Sequence, residues 1–311
     1  MAIHTTDSLT AEDLGAVRTV LAAAATVDGR EAVSEAGRLR LRADSPRPGI
    51  RHLVQMLDAR PAGYAQLEAG PDGRTATVEL AVHPELRRQG LGRQLLDAVL
   101  AAAGPQRTVD FWAHGGHPGA ARLAAEYGAE LVRELRQMRR TAPAPAAEPL
   151  PSGVALRTFR PGWDDQAWLR LNALAFAHHP EQGSWTEQDL ADRLAEPWFD
   201  PAGFFLATRP DPQGPAGAER LVGFHWTKVH PATGADPALG EVYVVGVDPA
   251  EQGNGLGRAL TAAGLRHLGE DRRLETVLLY VDADNPAAIR VYERVGFTIH
   301  EVDLMYQVRT D

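Results

Sequence analysis

The sequence predicts a mixed α/β fold that is built twice along a chain of 311 residues. Residues 252–257 (Gln-Gly-Asn-Gly-Leu-Gly) stand between an apolar run typical of a β-strand and a pattern typical of a helix. The same arrangement occurs earlier in the chain, so that Val82 recurs as Val247. Between the copies lies a proline- and alanine-rich stretch, residues 141–153, which favours a semi-extended linker. We therefore expect two domains of one kind, residues 1–140 and 154–311.

Composition excludes several classes of protein. The net charge of −9, without a long basic stripe, makes a nucleic acid an unfavourable partner. The chain has no cysteine, which excludes disulfides, a thiolate nucleophile and a Cys-based metal site. No apolar run approaches the roughly 20 residues of a membrane span, and no secretory signal precedes the first helix. These observations favour a cytoplasmic protein, and a monomer is compatible with them.

The glycine-rich stretch is suited to binding an anion. Alternate glycines let the backbone turn tightly and bring its N–H groups close to a ligand, and the following helix adds unpaired N–H donors. The best fit is a phosphate or pyrophosphate. The spacing is not the dinucleotide fingerprint, and no Gly-Lys-Ser/Thr follows as in a P-loop.

The first copy contains patterns for each kind of element. We expect helices over residues 7–25 and 34–42, strands over 50–58, 62–69 and 75–82, a turn at 71–73 and a helix ending near 103. The loop before this last helix reads Arg-Arg-Gln-Gly-Leu-Gly-Arg, residues 87–93.

The second copy reads in the same order. Its expected strands cover residues 154–159, 203–208, 220–229, 241–247, 276–281, 298–301 and 303–308, and its helices cover 164–175, 186–195, 257–268 and 286–295. Thr186 and Asp189 form a pattern like a capping box. The stretch 252–257 also resembles the acyl-CoA pyrophosphate loop of the GNAT acetyltransferases, Q/R-x-x-G-x-G/A. Their β-α-α-β-β-β-α-β-α-β order matches both copies.

The two copies differ in their ionisable residues. Three matched positions differ. Glu241 of the second copy corresponds to Ala76 of the first, Tyr292 corresponds to Ala124, and Asn285 corresponds to His117. The second copy thus has an acid and a base beside its loop, whereas the first has alanine at both places. We expect chemistry in the second copy, and acyl-CoA binding without turnover in the first.

A GNAT reaction gives these residues roles. The attacking amine must lose a proton and the departing thiolate must gain one. Glu241 is the candidate base and Tyr292 the candidate acid, and backbone N–H groups of residues 245–247 could polarise the thioester carbonyl. The alternatives are a solvated residue at a strand start for Glu241 and a core aromatic for Tyr292.

Within the GNAT acetyltransferases, the sequence most specifically resembles the mycothiol synthase family. It rests on residues 223–231 (Gly-Phe-His-Trp-Thr-Lys-Val-His-Pro), 240–249, 176–183 and 302–306, and it covers essentially the whole chain. It implies acetylation of the cysteinyl α-amine of desacetylmycothiol by acetyl-CoA, the last step of mycothiol biosynthesis in actinobacteria. The implied partners are these two small molecules, without a nucleic acid, a membrane or a metal. One departure from the family is a short segment, residues 269–275.

Site residues follow from the same resemblance. It places acceptor contacts, between the two domains, on Glu35, Glu181, Lys228, Glu241 and Tyr280. It places acetyl-CoA contacts on Val245, Gly246, Val247, Gln252, Gly253, Asn254, Gly255, Leu256, Gly257, Arg258, Asn285, Pro286, Ala287, Ala288, Ile289 and Arg290. A second, non-productive acetyl-CoA site falls on Leu80, Ala81, Val82, Arg88, Gln89, Gly90, Leu91, Gly92 and Arg93.

Other interpretations stay open. Glu35 could be a solvated helix residue and Tyr280 a packing residue. His178 and His179 do not predict a metal site, because adjacent side chains diverge and no third ligand has suitable spacing. The alternative functions are a tandem GNAT enzyme that acetylates another small amine or a protein N-terminus, and a catalytically silent acyl-CoA sensor.

Overall fold

The order of helices and strands is the same in both halves of the chain. A computed structural model describes residues 2–41, 47–70, 72–141, 143–179, 181–215, 217–233 and 237–310. The first half contains β1 (Ala2–Thr6), α1 (Ala11–Asp28), α2 (Glu35–Leu39), β2 (Ile50–Leu57), β3 (Arg60–Ala69), β4 (Thr75–Val82), α3 (Leu91–Ala103), β5 (Thr108–Ala113), α4 (Pro118–Glu126) and β6 (Glu130–Arg140).

The second half repeats this series. It contains β7 (Ala155–Thr158), α5 (Asp165–Ala175), α6 (Glu187–Leu194), β8 (Phe204–Pro210), β9 (Glu219–His230), β10 (Leu239–Val247), α7 (Leu256–Arg266), β11 (Val277–Asp282), α8 (Pro286–Arg294) and β12 (Thr298–Arg309). The predicted mixed α/β fold is thereby confirmed. Among the described residues, no helix combines the length and the apolar character that crossing a bilayer requires.

Three local predictions differ from the structure. The family order implied a first strand, but no bounds were predicted for β1, because its short sequence lacks an apolar alternation; it pairs antiparallel with β2. Helix α1 begins at Ala11 rather than residue 7, since Thr10 and Asp13 form a capping box there. The two short strands predicted at 298–301 and 303–308 are one strand, β12. The predicted turn at 71–73 and the end of the predicted helix at 42 fall partly outside the described residues.

The chain forms two compact units, and each unit includes residues from both halves of the sequence. The first unit comprises residues 1–136, 282–284 and 301–311, and the second comprises 137–281 and 285–300. Most of β12 therefore belongs to the first unit, and the last residues of β6 belong to the second. The domain boundaries at residues 140 and 154 remain a prediction. The ends of β6 and β12 are divided between the two units and do not follow these boundaries.

The first unit is a sheet with helices on both faces. Its strand order is β1-β2-β3-β4-β5-β12; β4 and β5 are parallel, and the pairs β1–β2, β2–β3, β3–β4 and β5–β12 are antiparallel. Successive residues of β2 point to opposite faces, so Leu53 packs with α3, and Val54 packs with α1. The face with α3 and α4 includes Leu95, Val99 and Phe111.

The second unit has the same layers and a more aromatic core. Its strand order is β11-β10-β9-β8-β7. On the α5 and α6 face, the ring of Trp168 lies between 5.3 and 5.7 Å from the rings of Phe204, Phe224 and Trp226. On the other face, α7 and α8 cover residues such as Leu279 and Phe297. A π-helical turn (His267–Asp271) continues α7.

Candidate active site

In the second unit, β10 diverges from its parallel neighbour. The pairing of β10 with β11 covers Gly240 to Val242, whereas β10 itself continues to Val247. A register shift on the β9 side, between Val242 and Val244, marks a bulge at the same place. Beyond the bulge, the β10 edge towards β11 offers backbone N–H and C=O groups to an extended ligand. The first unit repeats this geometry, because β4 pairs with β5 only over Thr75–Val78.

The glycine-rich loop has the backbone that the sequence requires. Gly253 has φ +80 and Gly255 has φ +92, and both values favour glycine. Gly255 is the N-cap of α7, so the first N–H groups of that helix point into the loop. The backbone N–H of Leu256 donates to Asn254 Oδ1 at 3.0 Å. Gln252 and Arg258 are exposed beside this anion cradle.

A buried carboxylate that sequence reasoning missed anchors the loop. Glu251 is 9 % exposed. It accepts hydrogen bonds from Arg209 Nε at 3.1 Å, Arg220 at 2.7 Å and Asn254 Nδ2 at 3.2 Å. The matched residue of the first copy is Leu86, which is buried among apolar neighbours. The internal comparison of the copies was the signal that could have singled out Glu251.

The other wall of the candidate site is α8. Asn285 caps this helix by accepting a hydrogen bond from Ala288 N at 3.1 Å, and Pro286 occupies its first turn. Tyr292 packs against the same apolar cluster as Val245 of β10. Burial raises the pKa of Tyr292 to about 12, so its hydroxyl keeps its proton at neutral pH. Asn285, Pro286, Ala287 and Arg290 are exposed, Ala288 is half-buried, and Ile289 is buried in the core.

Glu241 lies on the opposite face of β10 from that cluster, in a pocket of charged and aromatic groups. It is 6 % exposed, and its Oε2 lies 2.6 Å from His230 Nε2. Lys228 stands directly opposite Glu241 on β9. The Lys228 ammonium lies 4.5 Å from the Trp198 ring centre and 5.1 Å from that of Tyr243. A carboxylate and an ammonium are thus held side by side in a buried site.

The remaining candidate acceptor contacts occupy several elements. In the second unit, the exposed Glu181 precedes Gln182, whose side chain and carbonyl bond to Asn172 of α5 at 2.9 and 2.6 Å. Tyr280 of β11 is 44 % exposed, and its hydroxyl accepts from Gln137 Nε2 at 2.9 Å. Glu35 begins α2 in the first unit. The structure therefore brings Lys228 and Glu241 together directly, whereas the other three lie on separate elements.

His178 and His179 do not point to metal binding in this loop. His179 Nδ1 accepts a hydrogen bond from the backbone N–H of Gln182 at 3.0 Å, which is a turn contact. Pro180 of the same stretch lies outside the described residues. Within the described ranges, no group of three or more His, Cys, Asp or Glu side chains is placed to hold a metal ion.

The first unit contains a cavity of about 340 Å³ at its own loop. Its lining includes most of the residues predicted for the second acetyl-CoA site, namely Leu80, Ala81, Val82, Arg88, Gly90, Gly92 and Arg93. The lining does not include Gln89 or Leu91; Leu91 is buried below the loop. Arg88 has φ +66 at the position matched by Gly253, so the backbone shape is kept without the glycine.

Comparison with known proteins identifies the family. The model of the acetyltransferase (GNAT) family matches residues 21–129 and 168–297. A mycothiol acetyltransferase from Streptomyces griseus is 55% identical over 310 residues, which cover 99% of this chain and 96% of the relative. One from Thermobispora bispora is 55% identical over 95% of this chain and 96% of the relative.

The chain belongs to the mycothiol acetyltransferase family of GNAT proteins.

A solved structure shows the same tandem arrangement as this mycothiol acetyltransferase family member. A tandem GNAT protein from the clavulanic acid biosynthesis pathway has a TM-score of 0.71 and covers 99% of this chain and 98% of its own. At 20% sequence identity, it supports the fold alone. The prediction of two GNAT copies is confirmed.

The first unit of this mycothiol acetyltransferase family member contains an acid–base cluster that sequence reasoning missed. His114, which lines the cavity, lies 2.8 Å from Glu79 and 3.4 Å from Asp303. Glu79 Oε1 also accepts from the Ser34 backbone N–H at 2.7 Å, and its Oε2 accepts from the Ser34 hydroxyl at 3.1 Å. The carboxylate of Glu79 is thereby occupied by structural donors.

The charges of this cluster support one another. Burial opposes charging of His114, but hydrogen bonds to Asp303 and Glu79 outweigh it and raise its pKa to about 10. Burial likewise opposes the charge of Glu79, but the hydrogen bond from His114, the charge of His114 and the hydrogen bonds from Ser34 together outweigh it and lower the pKa of Glu79. Ala124, at the position of the candidate acid, is buried in the core. The predicted match of Ala76 with Glu241 is wrong, because β10 has a bulge that β4 lacks and Ala76 packs in the core on the α3 face.

This cluster predicts how the stability of the first unit depends on pH. A histidine whose pKa is raised on folding contributes its full stabilisation below its unfolded value near 6.5, and that contribution is lost as pH rises towards 10. We expect Tm to fall by several degrees between pH 7 and pH 10. In His114→Gln this part of the fall should be absent. Differential scanning calorimetry of both proteins measures it, and parallel curves would contradict the assignment.

Proposed function

We propose that this protein transfers the acetyl group of acetyl-CoA to the cysteinyl α-amine of desacetylmycothiol, giving mycothiol and CoA. The observation that carries the proposal is the buried Glu241–Lys228 pair beside the open edge of β10, in a chain whose relatives are named mycothiol acetyltransferases. It supports the proposal that the chemistry takes place in the second copy. A cytoplasmic location is part of the same proposal.

Acetyl-CoA would lie along the edge of β10. The pyrophosphate would sit on the N–H groups of residues 252–257 at the start of α7, with Arg258 beside it. The amides of the pantetheine arm would pair with β10 beyond the bulge, over residues 245–247. The start of α8, residues 285–290, would cover the other side of the arm.

Glu241 and Tyr292 would handle the protons. An α-ammonium group loses its proton near pH 7.7–8.0, so a carboxylate at the acceptor nitrogen is sufficient as the base. The neutral amine forms the C–N bond as the C–S bond breaks. Tyr292 holds a proton at neutral pH and would give it to the departing CoA sulfur, then regain one from the nitrogen. Two protons leave the original ammonium nitrogen; one ends on the CoA thiol and the other is released.

The acceptor contacts remain proposals. Lys228 would bind hydroxyl groups of the sugar or the inositol. Glu181 would bind an ammonium or hydroxyl group of the acceptor; its loop is held to α5 by the hydrogen bonds between Gln182 and Asn172. Tyr280 would contact the acceptor through its exposed ring. For Glu35, contact with the acceptor stays an untested expectation.

The cavity of the first copy would hold a second acetyl-CoA without turning it over. Two observations support this proposal. The matched acid position is Ala124, and the nearby Glu79 carboxylate is already occupied by Ser34 and His114. The loop and the strand divergence needed for binding are retained.

Replacing Gly255 and its counterpart Gly90 separates the two acetyl-CoA sites. Alanine at φ +92 or φ +81 strains the backbone by about 1–2 kcal/mol. The loop relieves this strain by moving its N–H groups away from the ligand-binding geometry, and a restoring cost of that size on binding corresponds to roughly a tenfold loss of ligand affinity. Gly255→Ala should raise the KM for acetyl-CoA about tenfold. Gly90→Ala should weaken one of two binding events in calorimetry and leave kcat near wild type. An equal loss of kcat in both variants would contradict the division of labour.

Mass spectrometry of the product tests the proposed function. The protein is incubated with acetyl-CoA and desacetylmycothiol, beside the glucosaminyl-inositol that lacks the cysteine. We expect one acetyl group on the cysteinyl nitrogen of the first acceptor and none on the second. Acetyl-CoA binding without acetylation of any supplied amine would favour the silent sensor. Acetylation of other amines but not of desacetylmycothiol would favour the alternative enzyme.

A further inference from the structure

His230 connects the buried Glu241 carboxylate with solvent. It is the last residue of β9, and it pairs with Leu239, two residues before Glu241 on β10. Residues two apart on a strand point to the same face. His230 Nε2 lies 2.6 Å from Glu241 Oε2. The Glu241 side chain is 8% exposed, whereas that of His230 is 37% exposed.

The proposed reaction leaves a proton to be removed at this place. One of the two protons lost by the acceptor nitrogen ends on CoA, and the other arrives on Glu241. Until that proton leaves, Glu241 cannot accept another. Its neighbours in the sheet are Lys228 on β9 and Leu278 on β11. A protonated ammonium and an apolar side chain do not accept a proton, whereas imidazole binds and releases one near neutral pH.

We propose that His230 is a positioning residue that also carries the proton from Glu241 to solvent. This inference rests on the proposed function, since it requires Glu241 to be the base. The proton moves from Glu241 Oε2 to His230 Nε2 while His230 Nδ1 releases its own proton to water. The O–H bond at Glu241 breaks as the N–H bond forms, and the carboxylate is restored. Ring rotation or tautomer exchange then returns the imidazole to its starting form.

Several polar groups lie on the elements next to this pair. Lys228 faces Glu241 from β9, and the guanidinium of Arg193 on α6 donates to Tyr243 Oη on β10 at 2.8 Å. Gln137 Nε2 donates to Tyr280 Oη at 2.9 Å on the β11 side. His230 combines contact with Glu241 and exposure of its imidazole to solvent, which gives the proton a path outwards.

Two substitutions at His230 separate proton transfer from positioning. His230→Gln can still donate a hydrogen bond to the carboxylate, but it cannot carry a proton. His230→Ala removes both functions and leaves room for a free imidazole. We expect kcat to fall at least tenfold in both variants, within the range of general acid–base effects. The KM for acetyl-CoA should change less than about twofold, a ratio that corresponds to a few tenths of a kcal/mol.

Added imidazole provides the decisive measurement. We expect it to restore kcat of His230→Ala with saturation, and to restore nothing in Glu241→Gln. Wild-type kcat in His230→Gln, or a lack of rescue in folded His230→Ala, would overturn the proton-carrying role. If His230→Ala does not fold, the kcat of His230→Gln decides alone. If Glu241→Gln itself keeps wild-type kcat, the proposed base fails; if only the His230 variants are unaffected, the proposed function stands without this relay.

Discussion

Replacing Glu241 by glutamine lowers kcat by about 10²–10⁴-fold, because the amide keeps the shape of the side chain but cannot accept the acceptor's proton. The residual activity should rise with pH as the free amine forms in solution, levelling off above pH 8. The KM for acetyl-CoA should stay near its wild-type value, since Glu241 lies on the face of β10 away from the α8 cluster. Steady-state kinetics from pH 6 to 9 provide the measurement.

Glu79→Gln is the matched control for this experiment. Glu79 is equally buried, at 6 % exposure, and lies on the corresponding strand of the first copy. Its loss should lower the stability of the first unit, because it removes a charged partner of His114 and Ser34. It should leave kcat within a few-fold of wild type. A large loss of kcat in Glu79→Gln, with the fold intact, would place chemistry in the first copy.

Replacing Tyr292 by phenylalanine removes the candidate acid and keeps the ring that packs on Phe297. We expect kcat to fall about 10–100-fold, at the low end of general acid effects, because water can protonate the thiolate more slowly. Binding of acetyl-CoA and Tm should change little. Stopped-flow measurement of CoA release in a single turnover reports the step itself, independent of product dissociation.

Tyr306→Phe is the control for the loss of a tyrosine hydroxyl. Tyr306 belongs to the first unit, where its ring stacks on Phe111 at 6.0 Å. This variant should release CoA at the wild-type rate.

Ala124→Tyr should not create activity in the first copy. Ala124 is 1 % exposed, and a ring there would overpack the core, at a cost of about 1–3 kcal/mol or more. If Tyr292→Phe released CoA at the wild-type rate, Tyr292 would not be the acid of the reaction.

The sequence predicted features that depend on neighbouring residues. The loop at 252–257 and the capping box at Thr186 and Asp189 are confirmed, because backbone dihedrals and caps are set within a few residues. The match of Glu241 with Ala76 was wrong, because the bulge of β10 between Val242 and Val244 has no counterpart in β4, so Ala76 faces the α3 core whereas Glu241 faces away from the α8 cluster. Pairing partners were not readable in the same way: β1 is too short and polar to be recognised without β2 beside it.

Distant contacts were the part that sequence patterns could not supply. His114 contacts Glu79 and Asp303, which are distant from it in the sequence, and no local sequence pattern relates the three residues. The pairing of β12 with β5 is equally remote. His230 was visible only as part of a family-like stretch, until the 2.6 Å contact with Glu241 gave it a chemical role.

The position of β12 constrains the order of folding during translation. Leu304 to Arg309 pair with Ala113 to Thr108, and Thr310 donates from its hydroxyl to the Gly104 carbonyl at 2.8 Å. The ribosome therefore makes β5 about 190 residues before its partner, which at about 5–20 residues per second means a delay of roughly 10–40 s. During that time, one edge of β5 is open to pairing with other nascent chains. A holdase chaperone that covers this edge would then raise the yield of native protein.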